Sequence, residues 1–293
     1  MRIASPSRSA SYPLTILILM GFLATLGVRT GSAQELPTEA RSKGVVCLFA
    51  GHSFFIPVAQ SFHQIAGNSD FPDHRMKYVF RGGQGGTAGA MWANQKTRER
   101  VEAILEAGDV ELFGLTPGLS DTAETFQPWF DLALKHNPDT RFFVGVPWSI
   151  GGPSMKTDQF DQLVDSYAAK GLAVVKELRA RYPDSRIDYL AYGKVAPAMK
   201  SRFEAGTLPD IELMAGPGRT ALFSDNQPGH AGPMMLELCA LTWMNLLYDA
   251  NVDSLTCSPE ISNAPEIVTE VLEFNAPFNA LPTTKSTPPI TTK

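Results

Sequence analysis

Short apolar runs alternate with longer stretches of helical periodicity along most of the chain. Residues 45–50 (VVCLFA) are continuously apolar and end at Gly51, which is typical of a strand buried in a parallel sheet. Four more strands are predicted at residues 76–80, 110–115, 141–146 and 186–190. Helices are predicted at residues 54–65, 88–107, 124–136, 160–182, 197–204 and 233–248.

Strands that are separated by helices predict βαβ units, and therefore a parallel sheet covered by helices on both faces. The predicted fold class is α/β, a three-layer sandwich around a central, mostly parallel five-stranded sheet. We expect one domain over residues 44–275, preceded by a linker at residues 34–43. Residues 276–293 are rich in Thr and Pro, without periodicity, and are predicted to be a disordered tail.

The first 33 residues have the three parts of a secretory signal peptide. Arg2 and Arg8 precede the apolar run at residues 14–28, and the small residues Gly31, Ser32 and Ala33 follow it. The run is shorter than the ~20 residues of a bilayer span, and an uncleaved anchor is the alternative to cleavage after Ala33. A secreted or periplasmic protein is therefore expected, with no stable membrane span after cleavage.

Charge and composition exclude several classes of protein. The chain of 293 residues has 25 Lys+Arg against 30 Asp+Glu, and loss of the three arginines in residues 1–33 takes its net charge from −5 to −8. A domain this acidic is not a nucleic-acid binder by charge. With 44% hydrophobic and 19% charged residues, the chain is expected to fold around an ordinary apolar core. The sequence makes no prediction about the oligomeric state.

Three cysteines are too few for a disulfide-built scaffold. Cys47 lies within the first apolar run, where a reduced thiol acts as a small hydrophobic residue. Cys239 and Cys257 either pair in an oxidising compartment or remain free thiols. Their spacing does not indicate zinc.

In an open parallel sheet, ligands bind at the carboxyl ends of the strands. Polar and glycine-rich segments follow the predicted strands at these ends. Ser53 follows the first strand. It is either a nucleophile at the edge of the sheet or the N-cap of the next helix. The cluster GGQGG at residues 82–86 follows the second strand. Its glycines either provide backbone N–H donors for an oxyanion or form a tight turn without a ligand. Thr116 follows the third strand and Trp148 the fourth.

A histidine lies late in the chain, just before the last apolar helix. His230 is either an ordinary surface histidine or a base for Ser53, with Asp225 orienting its ring. That nucleophile, base and carboxylate perform acyl transfer without a metal or an organic cofactor. The remaining histidines have no metal-ligand spacing; they are His52, His63, His74 and His136.

The order of these blocks over residues 45–248 resembles the SGNH (GDSL-like) hydrolases. The resemblance implies a flavodoxin-like fold and cleavage of esters, often acyl or acetyl groups on lipids or carbohydrates. It implies that Ser53 is the nucleophile and His230 the base. The backbone N–H groups of Ser53 and of Gly83 or Gly86 would hold the oxyanion, with Thr116 as a substitute donor.

The sequence departs from the family pattern in three places. His52 stands where an Asp usually lies beside the serine, and Thr116 stands where the third block ends in Asn. The family's Asp lies three residues before its His, a place that Gln227 occupies here, whereas Asp225 lies five residues before His230.

A secreted serine esterase acting on a small-molecule or carbohydrate ester is the leading prediction, and a non-catalytic ligand-binding protein on the same fold is the alternative. A phosphate site is disfavoured because the glycine cluster lacks the Gly-x-x-x-x-Gly-Lys pattern. Four aromatic residues near the strand ends belong either to an acyl or sugar pocket or to the core: Phe54, Phe55, Trp92 and Trp148.

Overall fold

The computed structural model describes residues 43–69, 71–252 and 261–279. Their main feature is one five-stranded sheet in the order β2-β1-β3-β4-β5, with every neighbouring pair parallel. The strands are β1 (Val46–Gly51), β2 (Arg75–Phe80), β3 (Leu112–Leu115), β4 (Arg141–Gly145) and β5 (Ile187–Leu190). This is the flavodoxin-like strand order, and the predicted α/β class is confirmed.

Helices connect and cover these strands. They are α1 (Ile56–Gly67), α2 (Ala88–Ala93), α3 (Gln95–Leu105), α4 (Ala123–His136), α5 (Thr157–Arg181), α6 (Val195–Glu204), α7 (Pro233–Tyr248) and α8 (Ala264–Asn279). A second, two-stranded parallel sheet consists of β6 (Leu213–Ala215) and β7 (Ala221–Phe223).

The two faces of the sheet bury separate apolar clusters, as a three-layer fold requires. Phe49 and Phe143 pack on one face against Trp243 of α7, at ring-centroid distances of 5.3 and 4.7 Å. Phe113 and Phe142 lie in the other cluster with Trp129 of α4. Buried strands that end together give the loops at their carboxyl ends a rigid base.

Several predicted bounds were wrong, each for a local reason. The helix predicted at residues 88–107 is two helices, because the Asn94 side chain accepts a hydrogen bond from the Thr97 amide at 3.0 Å and so caps a new helix. Strands β6 and β7 were missed because each has only three residues.

Helix α8 was also missed, and the predicted boundary at residue 276 lies inside it. The helix continues to Asn279, whose side chain accepts from the Tyr189 amide at 3.0 Å and donates to the Tyr189 carbonyl at 2.7 Å. The Asn275 side chain accepts from the Ala191 amide at 2.8 Å. β5 is the edge strand of the sheet among the described residues, and the two asparagines provide hydrogen-bond partners for backbone groups along its outer side.

Several of the sequence predictions fall on residues outside the described ranges, among them residues 34–42 of the predicted linker and residues 280–293 of the predicted tail. Cys47 and Cys239 are buried free thiols, and Cys257 lies outside the described residues. The predicted signal peptide at residues 1–33 also lies outside them. Within the described ranges, none of the helices combines the length and apolar character that a membrane crossing requires.

Candidate active site

Ser53 lies in the turn between β1 and α1. The amides of Phe55 and Ile56 both donate to the His52 carbonyl, at 3.0 and 2.9 Å, so the chain reverses tightly after the strand. The N-cap of α1 is Phe55, and no side chain caps the helix. The N-cap interpretation of Ser53 is therefore wrong, and its hydroxyl is available for another partner.

His230 lies in a loop that joins β7 to α7. The Ser224 amide donates to the His230 carbonyl at 2.8 Å, which closes the loop at its base. Gly229 has φ +91, a left-handed conformation that favours glycine, and a Cβ there would lie 2.8 Å from Pro153. This turn directs the His230 ring back towards Ser53.

The three predicted residues Ser53, His230 and Asp225 form one hydrogen-bonded chain. His230 Nε2 lies 2.9 Å from Ser53 Oγ, and His230 Nδ1 lies 2.6 Å from Asp225 Oδ2. Because a carboxylate only accepts, Nδ1 carries a proton, and Nε2 of the neutral ring is left to accept from the Ser53 hydroxyl. The arrangement is a nucleophile, a base and an orienting carboxylate.

Asp225 remains an anion despite partial burial. Desolvation opposes ionisation, but hydrogen bonds from the His230 ring and from two backbone amides outweigh it and lower the pKa of Asp225. These amides belong to Gly229 and His230 and donate to Oδ1 at 2.8 and 3.2 Å. The five-residue separation in sequence is therefore compatible with a direct carboxylate–imidazole contact.

Aromatic residues hold the imidazole in place. The Phe54 ring stacks on the His230 ring at 5.1 Å, and Trp148 packs edge-on against Phe54 at 4.9 Å. Trp148 Nε1 donates to the Gly229 carbonyl at 2.9 Å, and the Gly151 amide donates to the Pro228 carbonyl at 2.8 Å. The loop after β4 thus supports the loop that carries the histidine.

His52, which precedes the serine, is 7% exposed. Its Nδ1 accepts from the Phe54 amide at 3.2 Å. Burial, together with the repulsion that a protonated His230 would exert, lowers the pKa of His52 to about 4. The ring is therefore neutral at neutral pH.

The glycine cluster forms a short 3₁₀ turn at Gly83–Gly86. Gly83 has φ +56, and a Cβ there would meet open space. Gly86 is buried, and a Cβ there would lie 2.6 Å from the His52 Cβ. Gly83 lines the cavity that contains Ser53, and Gly86 is not among its lining residues.

The loop after β3 reaches the site through residues beyond Thr116. The Thr116 hydroxyl is fully buried and has no hydrogen-bond partner, and Thr116 does not line the cavity. The Asp121 carboxylate accepts from the Gly118 amide at 2.8 Å and thereby fixes the turn. The Tyr167 hydroxyl donates to the Pro117 carbonyl.

A cavity of about 500 Å³ opens beside Ser53 and His230. Its apolar walls include Leu119 and Ile150, which are 63% and 56% exposed. Of the four predicted aromatic residues, Phe54 and Trp148 line it while also packing in the interior, whereas Phe55 and Trp92 do not. Gln84, from the predicted glycine cluster, and Ser149, which follows Trp148, also line the cavity. Sequence reasoning missed Leu119, Ile150 and Tyr167, because contact with a cavity leaves no local pattern.

Comparison with known proteins gives matches in structure only. No protein-family model and no curated protein sequence matches the chain. A DUF4886 family protein from Bacteroides uniformis has a similar structure, with a TM-score of 0.52 and 12% identity over 79% of this chain and 95% of that one. At this identity the similarity concerns the fold.

Two further matches have lower structural similarity. A putative GDSL-like lipase from Parabacteroides merdae matches with a TM-score of 0.42 and 15% identity over 72% of this chain and 99% of that one. An acetylxylan esterase, Axe2, from Geobacillus stearothermophilus matches with a TM-score of 0.42 and 15% identity over 71% and 97%.

Proposed function

We propose that the protein is a serine esterase that hydrolyses acyl or acetyl esters of a carbohydrate, a lipid or another small molecule. The observation that carries the proposal is the continuous chain from Ser53 Oγ through His230 to Asp225, with contacts of 2.9 and 2.6 Å. Covalent acyl transfer requires a nucleophile and a base within hydrogen-bonding distance of each other, and a third group that orients the base.

The reaction follows from the positions of the protons. Ser53 Oγ attacks the ester carbonyl carbon while its proton passes to His230 Nε2, and the carbonyl oxygen becomes an oxyanion. The backbone N–H groups of Ser53 and Gly83 are the proposed oxyanion donors. Collapse of the intermediate expels the alcohol, which takes the proton from His230 and leaves an acyl-enzyme. Water then attacks the acyl-enzyme, again with His230 as base, and releases the carboxylic acid and Ser53.

The substrate class is supported by the shape and lining of the cavity. Its volume of about 500 Å³ lies within the range of small-molecule sites, and its apolar walls suit an acyl group. The polar side chains of Gln84 and Ser149 line the same cavity and can hydrogen-bond an alcohol or sugar moiety.

Export is part of the proposal and is supported by the basic, apolar and small-residue segments of residues 1–33. The expected mature N-terminus is Gln34. Cell fractionation with N-terminal sequencing of the protein tests it, and an intact Met1 in the cytoplasm would contradict it.

Hydrolysis of p-nitrophenyl acetate by wild type and by Ser53→Ala tests the activity. We expect kcat/KM to fall by about 10⁴-fold or more in the variant, because no other group takes the place of the attacking hydroxyl. Ser166→Ala, an exposed serine on α5, is the matched control and should retain wild-type activity. Equal turnover by wild type and Ser53→Ala would refute the assignment and favour a non-catalytic ligand-binding protein.

A further inference from the structure

His52 lies immediately after β1, lines the cavity and has a fixed position. Its Cβ faces Gly86, its ring meets Phe54 edge-on at a centroid distance of 5.9 Å, and only 7% of the residue is exposed. The backbone that follows it is held by the two amides that donate to its carbonyl. A ring confined in this way keeps one orientation relative to Ser53.

The tautomer of His52 is determined by its backbone contact. The Phe54 amide lies 3.2 Å from Nδ1, and an amide N–H can only donate. Nδ1 must therefore accept, so the single proton of the neutral ring lies on Nε2. Burial keeps the ring neutral by lowering the pKa of His52 to about 4.

His52 Nε2 makes no hydrogen bond within the described part of the protein. It is also absent from the buried polar atoms that are sealed from solvent without a partner. His52 lines the cavity together with Ser53 and Gly83. An N–H donor without a protein partner thus belongs to a residue that borders the nucleophile's cavity.

The loop after β3 does not supply a comparable donor. Thr116 stands where a side-chain amide is expected from the family resemblance, but its hydroxyl is sealed in the interior and does not reach the cavity. Without it, the oxyanion would have backbone donors only. Loss of one such donor typically lowers kcat about 10²–10³-fold.

We propose that the Nε2–H of His52 is the side-chain donor to the oxyanion and takes the place of the donor that Thr116 does not provide. The inference rests on the proposed esterase function. His52 donates a hydrogen bond as the carbonyl oxygen gains negative charge, and no proton leaves the ring, because a neutral imidazole is a very weak acid. Neutral imidazoles polarise carbonyl groups in this way in other enzyme sites.

Three substitutions separate this role from a purely structural one. His52→Asn retains an acceptor for the Phe54 amide and a donor for the cavity. His52→Asp retains the acceptor but, when ionised, has no donor, and His52→Leu is uncharged and has neither. Melting temperatures identify any variant that is destabilised, and His63→Asn on the exposed face of α1 is the control for a histidine outside the site.

Steady-state hydrolysis of p-nitrophenyl acetate is measured for each variant, together with the rate of labelling by a fluorophosphonate. The serine oxygen displaces fluoride from this probe, through a transition state in which the phosphoryl oxygen gains negative charge. We expect His52→Asn to retain kcat within about tenfold, and His52→Leu and His52→Asp to lose about 10²–10³-fold in kcat with little change in KM. The labelling rates should fall in the same order, and His63→Asn should match wild type.

The inference on His52 would be overturned by folded His52→Leu with the same kcat as His52→Asn, since no donor would then be needed. If His52→Leu does not fold, equal kcat for His52→Asp and His52→Asn would overturn it instead. Failure of the esterase proposal has a different signature, because Ser53→Ala would then match wild type in both hydrolysis and labelling.

Discussion

At the scale of single residues, the site depends on how Asp225 holds His230. Its Oδ2 accepts from the imidazole at 2.6 Å, while Oδ1 accepts from the backbone of the same loop. The carboxylate therefore fixes both the ring and the turn that carries it. In the proposed reaction, it also stabilises the imidazolium that forms when Ser53 loses its proton.

Asp225→Asn should lower kcat by about 10³–10⁴-fold with little change in KM. The amide preserves the shape of the side chain, but an NH₂ group facing His230 would force its proton onto Nε2, where it can no longer accept from Ser53. Steady-state kinetics of this variant against Asp184→Asn, an exposed turn residue, measures the effect. Wild-type kcat in Asp225→Asn would contradict the orienting role.

Ser53, His230 and Asp225 could be proposed as site residues from the order of the sequence blocks. The roles of the residues around them could not. Ser53, Asp225 and His230 follow strand ends or precede a helix, positions that a sequence pattern reveals. The importance of His52 depends on an unused ring nitrogen and on the buried hydroxyl of Thr116. Neither property has a signature in the sequence, because both depend on contacts between distant segments.

At the scale of elements, the loop after β4 positions the loop after β7. Their contact consists of two hydrogen bonds, from Trp148 Nε1 to the Gly229 carbonyl and from the Gly151 amide to the Pro228 carbonyl. Two segments about 80 residues apart therefore share one rigid connection. The strands and most helices were predicted from periodicity, whereas this connection depends on the fold as a whole.

Trp148→Phe removes the indole donor and keeps an aromatic ring against Phe54. A hydrogen bond of this kind contributes about 1 kcal/mol, so we expect a roughly five- to tenfold fall in kcat from looser placement of His230. Kinetics and thermal unfolding of Trp148→Phe, with Trp92→Phe as an aromatic control outside the cavity, test this. An unchanged kcat would contradict this role of Trp148 and show that Phe54 and the loop backbone are enough to hold His230 in place.

Helix α8 buries Ile267, Val268 and Val271 in the core, and it also contributes polar side chains to the fold. Asn275 and Asn279 accept hydrogen bonds from backbone amides at the edge of β5. Apolar periodicity in a sequence does not predict such a role for an asparagine.

Asn275→Leu should lower the free energy of unfolding by about 1–3 kcal/mol, since the buried Ala191 amide would lose its acceptor. Chemical denaturation of this variant is compared with Glu273→Gln, an exposed substitution on the same helix. Equal stability of the two variants would contradict the edge-covering role.

At the scale of the whole molecule, two partly or fully buried histidines make stability depend on pH. Burial, with the charge of a neighbouring histidine, lowers the pKa of both His52 and His74 from 6.5 to about 4. His74 lies at the other end of β1, where its ring nitrogens contact His63 at 2.8 Å and Tyr248 at 2.6 Å. The folded protein thus keeps both rings neutral where an unfolded chain would protonate them.

Stability should therefore be greatest above about pH 6.5 and fall as the pH decreases from 6.5 to 4, because the unfolded chain binds more protons in this interval. Melting temperatures measured across this range should fall by several degrees, and less steeply in His74→Gln, which cannot titrate. His136→Gln serves as the control. A pH-independent melting temperature would show that the neutral rings do not contribute to stability.

Covalent labelling reports whether Ser53 is a nucleophile activated by His230. The protein is incubated with a fluorophosphonate probe, and intact mass and peptide mapping locate the adduct. We expect one adduct per chain on Ser53, none in Ser53→Ala, and greatly slowed labelling in His230→Ala. Absence of an adduct on Ser53 in folded wild type, or equally fast labelling in His230→Ala, would contradict it.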